Sequence, residues 1–130
     1  MDERILVVDD DRDTADTLAR LISSLGYETQ VAYSGEDATR LAADFGPELV
    51  LMDLGMPRQS GFATAARIRK LAGCQHTILV ALTGWTNKED KARAYESGFD
   101  LHVAKPISLD GIKELLNLLE PAEFASAAGG

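Results

Sequence analysis

Three short runs, Ile5-Leu6-Val7-Val8, Leu49-Val50-Leu51-Met52 and Ile78-Leu79-Val80-Ala81-Leu82, are apolar at every position. A strand with one wet face alternates apolar and polar residues. Continuous runs of this length therefore belong to strands covered on both faces, inside a parallel sheet with helices above and below. Two further runs, Glu28 to Ala32 and Leu101 to Ala104, carry polar residues, and the first of these is the most polar of the five.

Segments of helical period separate the runs, with Gly or Pro at the joins. The first places Ala15, Leu18, Ile22 and Leu25 on one stripe and stops at Gly26. Ser34, with Asp37 three residues on, resembles a capping box ahead of Ala38, Leu41, Ala42 and Phe45, and Gly46-Pro47 ends that segment. A third helix is expected from about Gly61 to Ala72, and a fourth from about Asn87 to Ser97, capped by Thr86 or Asn87 and stopped at Gly98. The apolar face of the fourth, Ala92, Ala94 and Tyr95, buries little, which makes it the least stable of the set and the easiest to move. The last helix presents Ile112, Leu115, Leu116 and Leu119 before Pro121. Five strands alternating with five helices give an α/β fold, a doubly wound parallel sheet with right-handed crossovers.

In such sheets ligands sit at the carboxyl ends of the strands. Asp9 and Asp10 follow the first run, Asp53 the third, Thr83 the fourth and Lys105 the fifth, so all five are expected on one rim. Two carboxylates about 4 Å apart repel by about 4 kcal/mol at an effective dielectric near 20, so clustered acids favour protonation or a hard cation. Magnesium suits them, because it takes oxygen ligands and bridges carboxylates to phosphate. A hydroxyl and an ammonium beside a carboxylate nucleophile are what phosphoryl transfer needs, since its transition state spreads charge over oxygen. Asp53 alone would read as a turn former, and Asp11 and Asp13 as helix-start acids facing the dipole.

The 130 residues suit one domain with a real core. A formal charge of -8 argues against direct nucleic-acid binding, which draws on clustered Lys and Arg. Cys74 stands alone, so no disulfide framework or Cys-based zinc site can form. The start Met1-Asp2-Glu3-Arg4 lacks the pattern of a signal peptide, and no apolar run approaches the roughly 18 residues of a membrane span. A cytoplasmic, membrane-free protein is the expectation.

Taken together, these motifs resemble the receiver domain of two-component response regulators, over nearly everything from Arg4 to Leu119. Ile5-Leu6-Val7-Val8-Asp9-Asp10 is similar to the family's opening acids, Asp53-Leu54-Gly55-Met56-Pro57 to its phosphoacceptor loop, Ala81-Leu82-Thr83-Gly84 to its hydroxyl position and Lys105-Pro106 to its closing pair. The resemblance implies a flavodoxin-like (βα)5 sheet in strand order 2-1-3-4-5. It implies that Asp53 accepts a phosphoryl group from a phosphohistidine, and that Mg²⁺ is held by Asp10, Asp53 and the backbone carbonyl of Gly55, with Asp9 acting through water. Thr83 and Lys105 would bind the phosphoryl oxygens. His102 stands where the family carries an aromatic residue that turns inward as the hydroxyl residue moves, so Thr83 and His102 are the implied switch pair. Trp85, two residues beyond Thr83, is expected at the mouth of the site, where with Gly55 it would tune water attack on the phosphoryl group.

The implied partners are a histidine kinase or a histidine phosphotransfer protein and a downstream target protein, with a phosphorylation-dependent dimer left open. Residues 1–120 form the expected receiver, a signalling domain rather than an enzyme, and the small-residue stretch 121–130 a disordered tail. A stand-alone regulator, the receiver of a hybrid kinase and a piece of a DNA-binding regulator all stay open, as does a binding module needing no phosphate. Two other classes fit poorly. A dehalogenase-type phosphatase places an acid two residues after its nucleophile, where this chain has Gly55, and a flavin-binding loop would not carry three aspartates against a phosphate.

Overall fold

A computed structural model describes residues 3–54, 61–84, 95–105 and 107–119. Strands β1 (Arg4–Val8), β2 (Glu28–Ala32), β3 (Leu49–Asp53), β4 (Ile78–Thr83) and β5 (Leu101–Ala104) form one parallel sheet in the order β2-β1-β3-β4-β5. Helices α1 (Arg12–Ser24), α2 (Gly35–Phe45), α3 (Gly61–Arg69) and α4 (Leu109–Leu116) are described with it. This is the doubly wound, flavodoxin-like sheet that the apolar runs require.

Alternation of side chains along each strand splits the sheet's burial into two cores. Leu6, Val8, Val50, Met52, Leu79 and Ala81 meet Ala38 and Ala42 of α2 and Ala65 and Ile68 of α3. Ile5, Val7, Leu49, Leu51, Val80 and Leu82 meet Ala15, Leu18 and Ile22 of α1 and Ile112, Leu115 and Leu116 of α4. Every residue of β3 is buried, as its central place demands, whereas the edge strand β2 alternates exposed and covered positions. Hence the most polar run lies at an edge.

Helix starts are set by side-chain caps. The Asp11 carboxylate accepts the backbone N–H groups of Asp13 and Thr14 at the start of α1, and Ser34 Oγ accepts the Asp37 N–H at 3.1 Å at the start of α2. Gly46 closes α2 in the left-handed region, φ 60° and ψ 56°, where a Cβ would be strained. Two boundaries differ from expectation. Leu25, placed on the α1 stripe by spacing, is the residue that caps the helix and is exposed. The third helix ends at Arg69, not Ala72, because Leu71 is extended (φ -70°, ψ 141°) and a separate 3-10 turn, Ala72–Cys74, follows. Gly55, Trp85, Pro106 and the stretch 121–130, for which the sequence raises expectations, lie outside the described residues, as does most of the expected fourth helix, of which Tyr95 and Glu96 are helical.

That early stop frees the Arg69 guanidinium to tie three segments together. It donates to the carbonyls of Thr77 (2.7 Å) and Gly98 (2.8 Å) and pairs with Asp100 at 2.8 Å. Asp100 also accepts the Leu79 N–H at 2.8 Å. The approach to β4 and the turn before β5 are thus fixed to the end of α3. Charge-assisted hydrogen bonds of this kind contribute about 1.5–3 kcal/mol, more than an exposed ion pair alone. Arg69→Met is expected to lower unfolding stability by about 2–3 kcal/mol in a denaturant titration; an unchanged midpoint would show that the network is decorative.

Candidate functional site

Register decides which side chains meet. Ile5 stands beside Leu49 and Val8 beside Met52, so the residues that follow β1 and those ending β3 reach the same sheet edge. Asp53 pairs with Leu82 and Thr83 with Ala104, which brings the ends of β4 and β5 to that edge too. The Lys105 N–H then donates to the Thr83 carbonyl at 2.8 Å, extending the ladder by one residue and setting where the lysine side chain departs.

Carboxylate oxygens of Asp9, Asp10 and Asp53 lie within 4.8 Å of one another. Asp9 and Asp53 are buried and Asp10 is exposed. Lys105 Nζ lies 2.9 Å from Asp53 Oδ1 and 3.6 Å from Asp9 Oδ2, the one ammonium among the described residues that meets these acids. Thr83 is buried at the end of β4. Asp9, Asp10, Asp53, Thr83 and Lys105 thus share the rim on which sequence order placed them. His102 sits two residues before the end of β5, and its Nδ1 is 2.9 Å from the Tyr95 hydroxyl.

Electrostatics follow from this crowding. Burial pushes the Asp9 carboxyl above its ordinary range, and the nearby Asp53 charge pushes the same way, against the Asp11 N–H that it accepts and the Lys105 ammonium. Partial burial works against charge on Lys105, but the hydrogen bond and attraction of Asp53, with help from Asp9, outweigh it and raise its pKa. The donor set fits a hard divalent cation: three carboxylates, no thiolate or imidazole among them, one exposed acid leaving room for water, and a net negative charge after Lys105 is counted.

Sequence reasoning missed two residues that the structure brings to attention. Arg69 acts chiefly on backbone carbonyls, which carry no sequence signature. Tyr95 was read only as part of an apolar helix face, although its spacing from His102 across the Gly98 stop was a usable signal.

Residues 5–117 match the response regulator receiver domain family. The chain is 37% identical over 117 residues to the sensor histidine kinase RcsC of Escherichia coli K12, covering 90% of this chain and 12% of the kinase. It therefore spans about an eighth of the length of the sensor kinases it matches. In fold it is similar to the chemotaxis protein CheY4 of Vibrio cholerae, with TM-score 0.87 at 22% identity over 92% of this chain and all of that one. It is also similar to a Burkholderia pseudomallei response regulator whose structure holds a phosphorylated aspartic acid, a calcium ion and citrate (TM-score 0.80, 27% identity, 98% of this chain and 72% of that one). The chain belongs to the response regulator receiver family of two-component signalling. Among the described residues no helix is long and apolar enough to cross a membrane.

The raised Asp9 carboxyl has a sign that can be tested. A folded acid with a raised pKa binds its proton more tightly than the unfolded chain does, so stability falls as pH rises from the ordinary value of 3.8 through the folded one. In chelator at pH 7, Asp9→Asn is expected to raise the melting temperature by about 3–5 °C, the equivalent of about 1 kcal/mol. The gain should vanish below pH 3.8, where Asp9 is protonated in both states. A loss of stability at pH 7 would show that the Asp11 and Lys105 contacts outweigh the repulsion.

Proposed function

We propose that Asp53 is the phosphoacceptor of this receiver. The observation that carries this reading is the Lys105 ammonium, 2.9 Å from Asp53 Oδ1, set within a trio of carboxylates. An Asp53 oxygen attacks the phosphorus of a phosphohistidine; the P–N bond breaks, its electron pair stays on the imidazole nitrogen, and an acyl phosphate forms on Asp53. As negative charge moves onto the phosphoryl oxygens, Lys105 shifts its ammonium from carboxylate to phosphoryl, and the Thr83 hydroxyl donates to another oxygen. Asp10 and Asp53, with the Gly55 carbonyl that the family resemblance implies and Asp9 through water, would hold a magnesium ion, which would supply the charge neutralisation that an anionic donor needs to approach three acids. The Burkholderia relative, with its phosphorylated aspartate and calcium ion, supports both the acceptor chemistry and the preference for a hard cation.

The donor is a histidine kinase or a histidine phosphotransfer protein, and the output is a target protein that reads the surface near His102, which turns inward as Thr83 engages the phosphoryl group. The domain modifies and releases its own phosphoryl group instead of turning over a substrate, works in the cytoplasm, and occupies residues 1–120, with 121–130 a tail outside it. Similarity to a sensor kinase favours a receiver that serves within or beside such a kinase.

Intact mass after incubation with Mg²⁺ and a small acyl phosphate tests the reading. One added phosphoryl group is expected on the wild-type chain and none on Asp53→Asn or in chelator. A wild-type chain that binds Mg²⁺ yet takes no adduct from several donors would replace this reading with a phosphate-independent binding module.

A further inference from the structure

In the β4–β5 ladder Ala81 stands beside His102 and Thr83 beside Ala104. Residues two apart on a strand project to one face, so His102 and Thr83 share a face with alanine at the other two corners of the quartet. Of the two alanines, Ala81 is wholly buried and Ala104 is exposed. His102 is engaged by Tyr95. Its Nδ1 is 2.9 Å from the Tyr95 hydroxyl, and the two rings meet edge to face at 79° with centroids 5.7 Å apart. Tyr95 is 48% exposed, so this contact sits at the surface.

The two ends of this piece of chain are held very differently. Gly98, with φ +110°, makes the turn after Tyr95, and its carbonyl and the Asp100 carboxylate are both held by Arg69. Several charge-assisted bonds therefore fix the turn. One hydrogen bond and one ring edge hold Tyr95 to His102. Under load the second gives way before the first.

We propose that the Tyr95 hydroxyl is a positioning group that holds the His102 imidazole outward, away from Thr83, and thereby sets how readily Asp53 is phosphorylated. This rests on the reading of Asp53 as acceptor and of Thr83 as the residue that engages the phosphoryl group. The unphosphorylated state keeps the Tyr95–His102 bond. In the phosphorylated state the ring leaves Tyr95 and turns across Ala81 and Ala104 toward Thr83. Breaking the bond is part of the cost of phosphorylation, and the freed Tyr95 hydroxyl becomes available to a partner at the surface. By reciprocity, a partner that engages Tyr95 favours the phosphorylated state.

Tyr95→Phe keeps the ring and its edge contact and removes only the hydroxyl. With Mg²⁺ and a small acyl phosphate, the variant is expected to be phosphorylated about two- to ten-fold faster than the wild type, the range set by one hydrogen bond. In the unphosphorylated variant, the His102 ring signals in ¹⁵N NMR should move along the line joining those of unphosphorylated and phosphorylated wild type. A merely structural role would change the melting temperature without moving those signals along that line. An unchanged rate, or a faster rate with unmoved His102 signals, would overturn the proposal. Absence of any adduct on wild-type Asp53 would instead remove the acceptor reading, and the proposal with it.

Discussion

The contact of Lys105 with Asp53 and Asp9 is the interaction on which the rim depends. Three acids within 4.8 Å repel strongly, and two of them are largely out of water. One ammonium lowers that cost without cancelling it, leaving the cluster with the negative charge that a divalent cation would complement. The chain can hold such a group only because its strands are pinned elsewhere. β3 is buried at every position, and the central strands are packed by a core on each face of the sheet. Electrostatic strain at the strand ends is offset by apolar burial along their length, at about 25 cal/mol for each Å² removed from water.

Much of this was legible in the sequence because it is written in side-chain type and period. Unbroken apolar runs announced buried parallel strands. Acids, a hydroxyl and a lysine at the run ends announced a rim, since parallel strands all finish on the same side. Other features are written in geometry that side chains do not encode. Arg69 acts on the carbonyls of Thr77 and Gly98, which every residue type presents alike. Helical period extended α3 to Ala72, but the extended backbone at Leu71 ends it earlier, a backbone choice that the apolar spacing does not encode. Leu25 satisfied the stripe by spacing and still fell outside the helix, because the Gly26 stop acts one residue before the glycine itself.

A receiver must be stiff where it does chemistry and yielding where it reports. Moving a central strand would break two ladders and two cores at once, far beyond what one phosphoryl group can redirect. Coupling free energies between sites are typically about 1–3 kcal/mol, which is the scale of one or two surface hydrogen bonds. β5 is an edge strand, partly covered from Leu101 to Val103 and exposed at Ala104, paired among the described residues with β4, and joined by the Lys105 N–H to Thr83 itself. The fold therefore ends β3, buried at every position, at Asp53 and sets the partly exposed β5 at the sheet's edge, with β4 and its terminal Thr83 between the two.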